Sequence, residues 1–327
     1  MSLIYSSLTQ NIHLSFISSH SSFTECVRHS DIPLVSLQVS IPNIACAEFP
    51  VENQNFIKYK CDSGSGTHSF TNCSWDNTGL SSDGGAIHLI FSEPHSSISL
   101  CVSQCTFLHC HETGSVDGGA VYARSIGTTS VSNSFFYDCE CGSYINNGGA
   151  GICFDAISKH PSIIRCTFIS CTTADDGGGC EIWYSKADSV YAIDSCVCIR
   201  CKGTHVSDSQ GGGIMISHNT DPITCTNSLL TACETKKQGG GIWINYPADK
   251  FVKPVIFCFF HENKSPSGKD VCFYEYRSDI QPILYSFISD CCDKRVGGGS
   301  NNWLPMSTIC VSLSVVHSTH ENDGLYI

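Results

Sequence analysis

The sequence predicts an all-β chain wound as a right-handed parallel β-helix of nine or ten coils. Three observations carry that expectation. A Gly pair recurs about every thirty residues: Gly84-Gly85, Gly118-Gly119, Gly148-Gly149, Gly177-Gly178, Gly211-Gly212, Gly239-Gly240 and Gly297-Gly298. A large apolar residue followed three positions later by Cys keeps step with it, at Phe70/Cys73, Phe107/Cys110, Phe136/Cys139, Phe168/Cys171, Cys198/Cys201 and Leu230/Cys233. Two unrelated landmarks in register over most of a chain mark a repeat architecture. Between them lie Ile, Val, Thr, Ser, Cys and aromatic residues, broken by Gly or Pro every few positions, which is strand rather than helix composition.

Each coil can be read in order. Successive Gly pairs are 34, 30, 29, 34 and 28 residues apart, and the last gap of 58 is bisected by Gly268. Such gaps suit three short strands and variable loops. The Gly pair turns a corner and lets coils approach where a Cβ would collide. After it the chain alternates: Ile87/Leu89, Val121/Ala123, Ile214/Ile216 and Ile242/Ile244 share one face, the expected core. Coils 148 and 177 carry extra residues after the pair (Gly151; Gly179 and Cys180), which predicts bulges there. A loop often closed by Pro follows, then a second strand with Cys105/Phe107, Cys166/Phe168, Cys196/Cys198 and Cys258/Phe260 on one face. Residues 1–60 lack the Gly pair and read as a degenerate first coil or N-terminal cap, 61–300 as the repeats, and 301–327 as a closing strand and polar tail.

Gly84-Gly85-Ala86-Ile87 and Gly118-Gly119-Ala120-Val121, with the aromatic-x-x-Cys motif, resemble the polymorphic outer-membrane-protein repeat, whose motifs are Gly-Gly-Ala-(Ile/Leu/Val) and Phe-x-x-Asn. The second motif departs, since Cys replaces Asn everywhere but at Phe260/Asn263. Similar Cys-bearing versions look like those of protist surface proteins described as right-handed β-helices. The resemblance covers roughly residues 60–300. It implies display at a cell surface and adhesion, without catalysis or cofactor.

Composition bounds the function. Charged residues are only 15% of the 327, and the net charge is −12 without a basic cluster. Nucleic acid is therefore not an expected partner. The first twenty residues have no basic segment and no apolar run of signal-peptide length. No 18-residue apolar stretch reads as a membrane span. The compartment stays open, with cell surface or secretion implied by the resemblance alone.

The chain holds 23 Cys. Cys73, Cys110, Cys139, Cys171, Cys201 and Cys233 occupy one repeat slot and form the expected structural ladder, with Cys26 and Cys291 as outer members. Three readings stay open: buried free thiols filling the corner, disulfides, and metal binding by Cys101, Cys105, Cys110 and His111, flanked by His109.

Two groups are candidate sites. Opposite the core alternation lie His88, Tyr122, Met215 and Trp243, with Cys153 and Trp183 in the bulged coils. Such an outer stripe would be an interaction or self-association surface for a protein or glycan. The residues before the Gly pairs form a polar corner. Its acids Asp83, Asp117 and Asp176 would be the metal or sugar site of a carbohydrate-active enzyme of the pectate lyase or polygalacturonase type. As plain turn residues they need no such role. The expected function is non-enzymatic display or binding. The alternatives are that enzyme, or an intracellular scaffold with reduced thiols.

Overall fold

The computed structural model describes residues 44–45, 50–52, 55–56, 59–76, 85–112, 118–142, 148–183, 191–205, 209–217, 223–245, 255–256, 258–273, 283–284, 287–288 and 296–298. All belong to one compact unit, residues 39–327. The expected N-terminal cap up to residue 43, Cys26, Cys291, and the closing strand and tail from 301 lie outside the described residues, as do Asp83 and Asp117.

The chain is an all-β parallel solenoid. The first face stacks Tyr59–Cys61, the start of Ile87–Ser103, the start of Val121–Ser132, Ile152–Asp155, Cys180–Trp183, Ile214–Ser217, Ile242–Asn245 and Val271–Phe273. The second face stacks Gly66–Thr71, the later parts of the two long strands, His160–Ile164, Tyr191–Asp194, Ile223–Thr226 and Val255–Ile256. Ile87–Ser103 and Val121–Ser132 run unbroken around the shared corner, so these faces count as one 17-stranded sheet. The opposite face is a nine-stranded sheet that includes Ser74–Asp76, Thr106–Leu108, Phe135–Tyr137, Thr167–Ile169, Val197–Ile199, Leu229–Thr231 and Phe259–His261. The third face has four strands of two residues each. It continues only as single bridges, Lys202↔Glu234 and Glu234↔Lys264. All three faces are complete in about five turns, fewer than the nine or ten coils expected. The third face sets that limit, because two residues per coil support little ladder.

Alternation fills the interior. Trp75, Phe107, Phe136 and Phe168 stack at successive levels, with centroids 4.6, 4.6 and 4.8 Å apart. Cys198, Leu230 and Phe260 continue the row, all fully buried. Burying each such aromatic or aliphatic side chain contributes about 1.5–3 kcal/mol.

Both corners of the nine-stranded sheet use left-handed residues that are not glycine. Gln104, Asn133, Arg165, Ser195 and Asn227 precede the strands, and His109, Asp138, Ser170, Arg200, Ala232 and Glu262 follow them, all with φ near +50°. That conformation costs an L-residue roughly 1–2 kcal/mol. The solenoid offsets it by pairing each corner N–H with the next coil: His109 N–H donates to Tyr137 O, Asp138 N–H to Ile169 O and Ser170 N–H to Ile199 O, at 2.9–3.0 Å.

The Gly turn has a stricter register than the pairs suggest. The left-handed glycines are Gly118, Gly149, Gly177, Gly211, Gly239 and Gly268. Each stands three residues before the first core residue of its strand, Val121, Ile152, Cys180, Ile214, Ile242 and Val271. The expected bulges in coils 148 and 177 are absent, because Gly149 rather than Gly148 makes the turn and Cys180 fills the Ile slot. Irregular pairing occurs instead around Arg124, Ile126 and Thr128.

Candidate functional site

Of the two candidate groups, the aromatic stripe is largely buried, and Asp176, the one described acid, is buried beside it. His88, Tyr122, Cys153, Glu181, Met215, Trp243 and Cys272 form a continuous ladder on the outward side of the first face. Each left-handed glycine folds back onto the ladder residue four positions later. A Cβ added at Gly118, Gly149, Gly177 or Gly239 would lie 2.6–3.0 Å from the Cβ of Tyr122, Cys153, Glu181 or Trp243. The residue before the glycine then covers the ladder: Gln238 accepts the Trp243 indole N–H at 3.2 Å. His88, Tyr122, Met215 and Trp243 are accordingly buried, at 3% exposure or less. They are not the exposed stripe expected from alternation, and over Trp243 the roof is Gln238. Trp183 is not in this ladder. Without a bulge, Glu181 takes the place, and Trp183 stands one row over, half-buried against Met215, Trp243 and Cys272.

The polar corner serves this roof. Asp176 is buried, and its carboxylate accepts the Gln210 backbone N–H at 2.6 Å. The ladder of residues before the glycines runs Gly148, Asp176, Gln210, Gln238 and Ser267, through Gly149 N–H to Asp176 O, Gly177 N–H to Gln210 O, Gly211 N–H to Gln238 O and Gly239 N–H to Ser267 O. Among the described residues no three His, Cys, Asp or Glu side chains converge as a metal-holding group. Cys105 and Cys110 point inward at two different corners, while Cys101 and His111 are half-buried. His109 and His111 face carboxylates, His109 Nδ1 lying 3.3 Å from Asp76 and His111 Nδ1 3.7 Å from Glu140.

The cysteines are hydrogen-bond donors as well as corner fillers. Among the described residues seventeen are free thiols, sixteen of them buried, and Cys61 is disulfide-bonded. Cys139, Cys171, Cys201 and Cys233 follow a left-handed residue and donate to the carbonyl of an interior residue in the preceding coil: Phe107, Phe136, Phe168 and Cys198, at 3.6–3.9 Å. At the same slot Asn263 Nδ2 donates to Leu230 O at 3.0 Å, while its Oδ1 accepts the Cys233 N–H at 2.9 Å. The exchange of Cys for Asn in this motif thus keeps one donor in place. Asn263 is buried inside the corner.

Cys73 belongs elsewhere than expected. Trp75, not Phe70, pairs with Phe107, which puts Cys73 beside Cys105 at the other corner. That corner ladder includes Ser134, whose hydroxyl donates to Ser132 O at 2.8 Å and accepts the Cys105 N–H at 3.1 Å. Ser134→Ala should cost about 1–3 kcal/mol by orphaning that buried N–H, and Ser134→Cys clearly less. Denaturant midpoints of the two variants check the order.

The surface left apolar is the outward side of the nine-stranded sheet. Its two rows pass through Thr106, Phe135, Thr167, Val197, Leu229 and Phe259, and through Leu108, Tyr137, Ile169, Ile199, Thr231 and His261. Leu108, Phe135, Tyr137, Val197, Leu229 and Phe259 are half-buried and open to solvent, whereas Thr167, Ile169, Ile199 and Thr231 of the same rows are buried. Loss of water around the ring raises the Tyr137 pKa, the neighbouring Asp138 charge adds to this, and Arg200 opposes it. The Gly-pair and aromatic-x-x-Cys motifs do not include these positions. The signal lay in the flanking positions, which are apolar in coil after coil.

Comparison with protein-family models, curated proteins and solved structures finds no match. Fold and site define a parallel β-solenoid with a roofed Gly-turn ladder, thiol corners and one apolar outer face. The motif resemblance therefore stands on this sequence's own residues, and the surface-protein family it suggests belongs to the proposal below. Among the described residues no helix is long and apolar enough to cross a membrane.

Proposed function

We propose that this chain is a non-enzymatic binding solenoid of the display or adhesin type, and that the outward face of the nine-stranded sheet is its contact surface. The observation that carries this reading is the run of partly exposed apolar residues Leu108, Phe135, Tyr137, Val197, Leu229 and Phe259 in two straight rows. Contiguous apolar surface of this kind marks interaction sites. The burial of Asp176 and its bond to backbone support a structural rather than catalytic role for the polar corner. The motif resemblance supports display at a cell surface.

Val197→Glu and Leu229→Glu place charges in the middle of the face without touching the interior. Wild type and this double variant should be compared on peptide and glycan arrays, with thermal melts confirming equal folding. Binding should fall by about tenfold or more in the variant. Equal binding by both, or turnover of polygalacturonate that Asp176→Ala abolishes, would refute the reading. The buried free thiols favour a second reading, a scaffold in a reducing compartment. Thiol titration of protein from its native source separates the two settings.

A further inference from the structure

We propose, resting on the binding reading above, that the outer face takes an extended basic peptide with two arginines spaced about six residues apart. The face repeats one arrangement twice. Phe135-Phe136-Tyr137-Asp138-Cys139 and Phe259-Phe260-His261-Glu262-Asn263 share a pattern: outward aromatic, interior Phe, outward ring, left-handed acid, corner donor. In the first, the outward rings are stacked, with centroids 6.5 Å apart and planes within 4° of parallel. In the second, Phe259 and His261 lie 6.4 Å apart at 39°. A cation seated between either pair is within the roughly 6 Å of both ring centroids that cation–π attraction requires.

Each ring pair has its own carboxylate. Asp138 follows Tyr137 with its side chain 49% exposed, and Glu262 follows His261 at 58%. Asp76, 43% exposed, adds a second acid beside the first pair. His109 lies 3.3 Å from Asp76 and 4.0 Å from Asp138, and His261 lies 3.6 Å from Glu262. A planar guanidinium suits both parts of such a site, stacking on rings and donating to a carboxylate, better than the compact ammonium of lysine. The chain's net charge of −12 draws a cationic partner in the same direction.

Spacing and width choose an extended chain. Four strand steps separate the pairs, from Phe135 through Thr167, Val197 and Leu229 to Phe259. At ~4.8 Å per step this is about 19 Å, or about six residues of an extended peptide. Between the pairs Val197 and Leu229 are the open positions, Thr167, Ile169, Ile199 and Thr231 are buried, and Arg165 and Arg200 stand at the two edges, so the middle of the peptide should be neutral and small. Two rows of side chains along nine strands offer on the order of 400 Å², half of the ~800 Å² per partner that a stable globular interface uses. A second copy of the chain laid flat on this face would bury too little.

The test uses the full chain and a fluorescent probe peptide with arginines six positions apart and alternating serine and valine between them. It is compared with the lysine version and with arginines three positions apart. Anisotropy should show the first binding about tenfold tighter than either control. Asp138→Asn with Glu262→Gln should weaken it by a similar factor and flatten its salt dependence. Equal affinity for all three peptides, or no change in the double variant, overturns the proposal. If no basic peptide binds while array ligands still need Val197 and Leu229, the face reading survives and the arginine assignment falls. If nothing depends on those two residues, both fall.

Discussion

Raising the pH from about 8 to about 10.5 under reducing conditions should unfold the solenoid, although its backbone contains nothing that titrates there. The thiols are the reason. Cys139, Cys166, Cys171 and Cys180 have pKa values held well above the ordinary 9.0, first by burial. In Cys198 and Cys225 a contact with a neighbouring thiol, Cys201 or Cys258, acts first and burial second. Cys272 is pushed up to about 12 by burial. In the folded chain these groups stay protonated, whereas in the unfolded chain they ionise near 9. The unfolded state therefore binds fewer protons above that pH, and stability falls as pH rises. The stabilisation is complete below about pH 9 and is lost above it at up to about 1.4 kcal/mol per unit for each thiol. Several thiols acting together rival the typical 5–15 kcal/mol of a whole domain. Urea midpoints at both pH values check this. Cys180→Val, at a slot that other coils fill with Ile or Val, should make the slope shallower. A midpoint that stays flat to pH 10.5 would show that the interior thiols do not govern stability.

Gly178→Ala should be among the most damaging single methyl groups that can be added. A Cβ there would lie 2.5 Å from Gly212 O in the next coil and 2.5 Å from Lys202 N on the third face. Both are backbone atoms held in ladders, so neither can give way without moving a strand. Gly178 is not among the left-handed glycines, so the effect would be purely steric. The expected loss is about 3 kcal/mol or more, at the upper end for overpacking. In a solenoid each coil rests on its neighbours, so the lesion should divide the cooperative unit. Hydrogen exchange should show lost protection in the strands around Cys180–Trp183 and Ile214–Ser217, with less change around Phe107. Unaltered melting and exchange would mean that the coils are not packed this closely.

Much of the architecture was legible in particular residues. Ile214/Ile216 and Ile242/Ile244 face the interior as their alternation predicts, and Phe107, Phe136 and Phe168 form a stack because they share one slot. The errors came where two landmarks compete. Phe70/Cys73 imitates the motif of Phe107/Cys110, but Trp75 is the true partner of Phe107, and only strand pairing reveals the five-residue difference. Gly148-Gly149 imitates the other pairs, yet the turn falls on Gly149. That shift removed the supposed bulge of coil 148; in coil 177 Cys180 fills the Ile slot, which puts Glu181 rather than Trp183 in the outward ladder. The polar corner and the aromatic stripe meet at Gly239, whose left-handed turn folds Gln238 over Trp243.

By itself the sequence determined that this chain is a parallel β-solenoid, where its Gly turns and Cys corners recur, and which side chains alternate inward. These follow from local geometry repeated at a fixed period, and periodicity is visible in one dimension. Only the tertiary structure decided which outward side chains meet water. Exposure depends on what the neighbouring turn lays over a strand, and that is set by the sign of one φ angle per coil. It buried Tyr122, Met215 and Trp243, and Phe135, Tyr137, Val197 and Phe259 stayed open.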